Sequence, residues 1–287
     1  MPLNPVDVIW RIERWIGYGN PQSPIWFIGQ EDHCESEDED HLRCRLQNRC
    51  ADLRTYHEAL ARDLENMQRN EEAEQIREFF MQPDPNLQPT WRQLMRLYLV
   101  AMDGAGGLPQ LNNQLDVDEQ NEILKTFQRD QWGQIHGGQN YGFLSELGPL
   151  PAPGLRVWPK SYTNLGLLRN GQFNFDLTER DTYVRTVFPR RVRVLREAIN
   201  AHKPRVVVCY GGGPHRKYFK MLRELQGQNI NGANCNLRIT WNRVIQHDNH
   251  LPTIILGVPA PAARVRGRGN GFWHQVGLCV GEIIQQH

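Results

Sequence analysis

Residues 27–33, FIGQEDH, set an amide, two carboxylates and an imidazole directly behind an apolar run. A carboxylate at such a point can orient a water molecule or stabilise positive charge that develops on a reacting carbon. Glu31 also has an ordinary reading, an acid favoured by a helix N-terminus, and Asp32 reads as a helix cap. A second group is YGGGPH (210–215), where glycines before a helix can turn backbone amides toward a phosphate. Gly211 and His215 belong to it; no Gly-Lys-Ser/Thr follows, so it is not a P-loop, and a tight turn without ligand is the alternative. Third, Arg264, Arg266 and Arg268 alternate with small residues, as phosphate-binding cations or as a solvent-facing basic turn. Cys34, Cys44 and Cys50, with His33 and His41, match no paired zinc spacing, so the expectation is no metal and no cofactor.

These groups must be held by frames the apolar pattern reveals. PIWFIG (24–29), RVVVCY (205–210) and TIILG (253–257) are short, nearly continuous apolar runs ending at or beside glycine or polar residues, as in strands covered on both faces. A fourth strand is expected within 155–164, with Pro159 at its edge or start. Helices are expected before and after the 205–210 strand and at the C-terminus. The fold class is therefore α/β, three-layer α/β/α with a short central parallel sheet, and ligands belong at the strand carboxyl ends. Residues 34–138 read as a helical insertion within a single 1–287 domain, with 50–80 forming one long amphipathic pattern.

The chain has 287 residues, 39% hydrophobic and 23% charged, an ordinary globular composition. No apolar run reaches the length of a bilayer span and the start lacks a signal-peptide pattern, so no membrane association and a cytoplasmic location are expected. Six cysteines in this length fit reduced thiols. The net charge is +1, but CESEDED (34–40) is acidic while 188–205 and 264–274 are basic, so a neutral total can hide a face suited to DNA. No obligate protein partner is inferred.

In their order along the chain, four segments resemble those of the uracil-DNA glycosylase superfamily. FIGQEDH resembles the GQDPYH motif, YGFLSELGPLP (141–151) the segment carrying a base-stacking aromatic, SYTNLGLLR (161–169) the strand end with a base-reading asparagine, and ILGVPAPAARVRGRG (255–269) the HPSP-type DNA-penetrating loop. AINAHKPRVVVCYGG also resembles the helix and strand that precede that loop; the helical insertion has no counterpart. The resemblance implies a uracil-DNA glycosylase-like fold and a DNA glycosylase. Such an enzyme must extrude a base to reach its sugar, and the departing base leaves an oxocarbenium-like centre. Glu31 then matches the carboxylate that stabilises this charge and positions water. Asn164 reads the base edge, Phe143 stacks on the base, and Gln30 and His33 line its pocket. Pro259, Ala260, Pro261, Arg264, Arg266 and Arg268, with Gly211 and His215, contact DNA. No suitably placed lysine suggests a lyase step, so the expected enzyme is monofunctional.

Departures from the pattern carry information. Val258 stands where the loop motif begins with histidine and cannot donate a hydrogen bond to a departing base; one such donor is worth about 3 kcal/mol in the transition state. Ala262 and Ala263 replace the bulky wedge. His33 occupies the place of a tyrosine that blocks the pyrimidine 5-position, which leaves room for a C5 substituent. Asparagine can accept from a cytosine amine or donate to a uracil carbonyl. The expected substrate is thus a 5-modified pyrimidine, such as hydroxymethylated or glucosylated cytosine of phage DNA excised in antiviral defence. The alternatives are a classical uracil repair glycosylase and a catalytically inactive binder of modified or damaged DNA.

Overall fold

The computed structural model describes residues 2–34, 37–80, 82–103, 107–112, 114–135, 141–154, 156–211, 218, 222, 241–247, 250–258 and 270–286, without the side chains of 31–33, 241–247, 250 and 286. From the amino end, α1 (Pro5–Glu13), β1 (Tyr18–Gly19) and β2 (Ile25–His33) lead into a run of helices. These are α2 (Glu39–Gln47), α3 (Leu53–Asn66), α4 (Asn70–Arg77), α5 (Pro89–Met102) and α6 (Val117–Asp130). The chain then returns as β3 (Phe143–Ala152), α7 (Lys160–Leu165), the hairpin β4 (Leu167–Asn170) and β5 (Phe173–Asp176), and α8 (Arg180–His202). It ends with β6 (Val206–Tyr210), β7 (Trp241–His247), β8 (His250–Val258) and α9 (Asn270–Gln286).

The molecule is mixed α/β. Its six-stranded sheet has the order β1-β3-β2-β6-β8-β7. The inner four strands are mutually parallel, whereas β1 and β7 join the two edges antiparallel. The apolar runs are continuous because both faces are covered. Ile25 and Phe27 of β2, with Val206 and Val208 of β6, enter a core shared with α3, α5, α6 and α9. Trp26 and Ile28, with Val207 and Cys209, enter the opposite core beneath α1 and α8. This is period-two alternation with both sides buried.

Several sequence expectations are corrected. The strand expected within 155–164 lies earlier, at 143–152, and residues 160–165 form helix α7. Pro149 and Pro151 are tolerated in β3 because β1 pairs only with Phe143 and Leu144, so among the described strands that side of its later half has no sheet partner. The amphipathic pattern over 50–80 is two helices, α3 and α4, broken where Gln68 takes a left-handed φ of 62°. The acidic run around residue 38 starts α2: Asp38 accepts from the Asp40 and His41 amides, and Glu39 and Asp40 lie in the first turn, where the helix dipole favours them. Cys34, Cys44, Cys50 and Cys209 are not disulfide-bonded, as expected, but Cys279 on α9 is. A count of cysteines cannot foresee which sulfur atoms tertiary packing brings within bonding reach. The helix expected after Pro214 lies largely outside the described residues. No described helix is long and apolar enough to cross a membrane.

Candidate functional site

Polar groups meet where β6 and β8 end, against the middle of β2 and β3. The parallel register sets Gly29 opposite Glu146, Ile28 opposite Cys209, and Tyr210 opposite Val258. Glu146, Gly29, Tyr210 and Val258 therefore form one row across the sheet, on the face that carries the α3–α5–α6 core. Gly29 leaves a gap in that row, and its neighbours meet across it: the Tyr210 hydroxyl donates to Glu146 Oε1 at 3.0 Å. A Cβ at position 29 would lie 2.0 Å from Glu146 Oε2 and 2.5 Å from the Tyr210 oxygen. The absence of a side chain on the middle strand is what allows a half-buried carboxylate and a phenol to join across it.

A second close approach lies one residue further on. The Gln30 amide rests against Gly211, where a Cβ would be 2.3 Å from Gln30 Cγ and 2.6 Å from its Nε2. Gly211 has a φ of +131°, a conformation that L side chains rarely adopt, so both space and backbone demand glycine there. Its amide donates to the Val258 carbonyl at 3.2 Å, which ties the end of β6 to the end of β8.

The backbone beneath Glu146 is clamped from the opposite face. The buried Arg191 donates through Nε to the Glu146 carbonyl at 3.0 Å, through Nη2 to the Ser145 hydroxyl at 3.1 Å, and through Nη1 to the Trp15 carbonyl. Burial, and then the neighbouring Arg11, push the Arg191 guanidinium down to about 9, which leaves it a cation at neutral pH. Its cage of carbonyls and a hydroxyl gives the charge hydrogen-bond partners where it would otherwise be costly to bury.

Among the residues singled out from sequence, the structure brings Gln30 and Gly211 together. Position 31 lies on β2 opposite Gly148, two residues beyond Gly29; the side chains of Glu31, Asp32 and His33 lie outside the described residues. Asn164 is exposed on α7, not on a strand. That helix is tied to the same end of the sheet, because the Tyr162 hydroxyl donates to the Pro151 carbonyl at 3.0 Å, beside the Ala152 that pairs with His33. Phe143 corrects its assignment as base stacker. It starts β3 at the amino end of the parallel strands, is 1% exposed, and packs against Trp26 with ring centroids 4.3 Å apart. Val258 is 3% exposed, part of the apolar core. His215, Pro259, Ala260, Pro261, Arg264, Arg266 and Arg268 lie outside the described residues.

Glu146 and Tyr210 were missed. The signal was present: in FLSELGPLPA a single charged residue shares the face of Leu144 in a strand otherwise buried. Such a residue needs a partner, and only the register names Tyr210. Among the described residues no group of three or more metal-ligating side chains is found. No protein-family profile matches the chain, and no curated protein sequence is similar to it.

Proposed function

We propose that this protein is a monofunctional DNA glycosylase that hydrolyses the N-glycosidic bond of a pyrimidine turned out of DNA, its base bearing a C5 substituent. The observation that carries the reading is the meeting of Gln30, Gly211, Glu146, Tyr210 and position 31 where β6 ends beside the longer strands β2 and β3, toward the carboxyl side of the parallel sheet, where open α/β sheets bind ligands. In this reading Glu31 orients a water whose oxygen bonds to the sugar C1′, while the departing base keeps the electron pair of the broken bond. Glu31 takes the water proton, and its charge stabilises the sugar cation on the way. Gln30, held against Gly211, and Asn164 supply amides for the base edge. Glu146, fixed by Tyr210 and with its strand backbone gripped by Arg191, adds a second negative charge near the same strand ends. Helices α3 to α6, in the segment that follows His33, cover this face of the sheet, which supports an enlarged base pocket. DNA is the partner and the cytoplasm the place of action, with hydroxymethylated or glucosylated cytosine of phage DNA as the substrate and defence as the role.

The test is release of the modified base from such DNA, read as strand breaks after alkali treatment of the abasic product. U-containing duplex should be left intact; preference for uracil would reject the C5 reading. Glu31→Ala should retain DNA binding and lower base release about 100-fold or more. One observation favours a second reading, a binder that does not cut. Val258, the last residue of β8, is apolar and buried, so no side-chain donor stands where the resembling motif has its histidine. If the wild-type protein binds modified DNA but frees no base from any substrate, the binder reading replaces the enzyme.

A further inference from the structure

A cationic cluster away from the strand-end site lies between α5 and α9. The two helices run parallel: Gln93 Nε2 donates to Asn270 Oδ1 at 3.1 Å, and further along a Cβ on Gly277 would meet Val100 and one on Gly281 would meet Ala101. Between these levels sit Arg96, 1% exposed, and His274, 7% exposed. Arg96 Nη1 donates to Gln120 Oε1 at 2.6 Å. Gln120 is fixed in that orientation, since its Nε2 donates to the Leu115 and Asn112 carbonyls. Arg96 Nε and Nη2, Arg92 Nε and His274 Nδ1 are buried with no hydrogen-bond partner among the described residues. Among the described residues, the polar neighbours from α5, α6 and α9 are Arg92, Gln93, Gln120 and Asn270, all neutral or cationic. The charge that bears on Arg96 is that of Arg92, and the one that bears on His274 is that of Arg96.

A buried guanidinium with two nitrogens unused and a second cation beside it is expensive unless an anion completes it. We propose that Arg96, Arg92 and His274 form a phosphate-binding site between the first two turns of α5 and those of α9. The unpaired donors come from three separate side chains on two neighbouring helices, which suits the several acceptor oxygens of a tetrahedral phosphate better than a planar carboxylate. Arg92, Gln93 and Asn270 are partly exposed and Gly271 is exposed, so the entry lies at the amino ends of these helices. The α9 end of the site faces the carboxyl side of the sheet, because at its other end the Ile284 carbonyl accepts from Arg205, just before β6. The site does not depend on the base-excision reading.

The experiment is thermal melting of the full chain in sodium phosphate against sodium chloride of equal ionic strength. The wild type should gain a saturable rise in phosphate. Arg96→Met should fold, since an apolar side chain replaces an uncompensated buried charge, and should bind phosphate about thirtyfold more weakly or worse. If that variant fails to fold, Arg92→Gln and His274→Asn carry the test, and each should weaken phosphate binding. No rise in the wild type, or an equal rise in the variants, overturns the proposal. Competition then names the source. Displacement of phosphate by thymidine monophosphate assigns a monoester, and displacement by a DNA strand with unphosphorylated ends assigns a backbone diester. Displacement by neither, with the variant effect intact, makes inorganic phosphate itself the ligand.

Discussion

Gly29 and Tyr210 set the geometry of the Glu146 carboxylate. Adding a methyl at position 29 places a carbon 2.0 Å from Glu146 Oε2, so the carboxylate and phenol must separate. Gly29→Ala should therefore destabilise the fold by about 1–3 kcal/mol, the range for overpacking a tight site, as measured by urea denaturation. Tyr210→Phe keeps the ring and deletes only the hydroxyl that donates at 3.0 Å. Its cost should be about 1 kcal/mol, and in the proposed enzyme it should lower base release without abolishing DNA binding. A Tyr210→Phe protein with unaltered stability and unaltered release would show that the bond positions nothing.

At the scale of elements, the α5–α9 contact decides how α9 reaches the carboxyl side of the sheet. A Cβ on Gly277 would lie 2.7 Å from Val100 Cβ and 2.9 Å from the Leu97 carbonyl oxygen. Alanine gains about 1 kcal/mol over glycine in a free helix. Here the backbone oxygen of a packed neighbour cannot retreat, so the clash wins, and Gly277→Ala should lose about 1–2 kcal/mol net by chemical denaturation. Gly271, in the same helix, has open space around its Cβ position. Gly271→Ala should be neutral or stabilising, and equal losses at both sites would refute close packing as the cause.

The whole molecule answers to pH through buried imidazoles. His41 is held below the usual imidazole value by burial and then by the charge of Arg45, against the opposing pull of Glu72 bound at 2.9 Å. His202 is lowered by burial, and His274 by burial and then Arg96. Below about pH 6.5 the unfolded chain takes up protons that the folded chain resists, so stability is complete above that value and falls as the solution is acidified through it. The denaturation midpoint should drop between about pH 7.5 and pH 5.5, and His41→Gln should flatten that drop. A midpoint that rises on acidification over this interval would contradict the burial of these rings.

Continuous apolar runs such as RVVVCY made three of the four inner strands legible, because burial on both faces leaves a pattern no solvated segment shares; β3, with its glutamate, glycine and prolines, lacks that pattern. The same physics made 27–33 legible as a strand leading into polar groups, and the helical character of the segment after it. Other features carry no local mark. Phe143 looks the same in sequence whether it faces a ligand or, as here, packs on Trp26 at the amino end of β3. The break at Gln68 is one residue's backbone angle, invisible to an amphipathic period. Glu146 and Tyr210 stand 64 residues apart and meet only because β2 lies between β3 and β6 with a glycine at the crossing point. Periodicity and composition, being local, determined which segments fold and which faces they bury. Strand order and register, being long-range, decided which polar groups share a site.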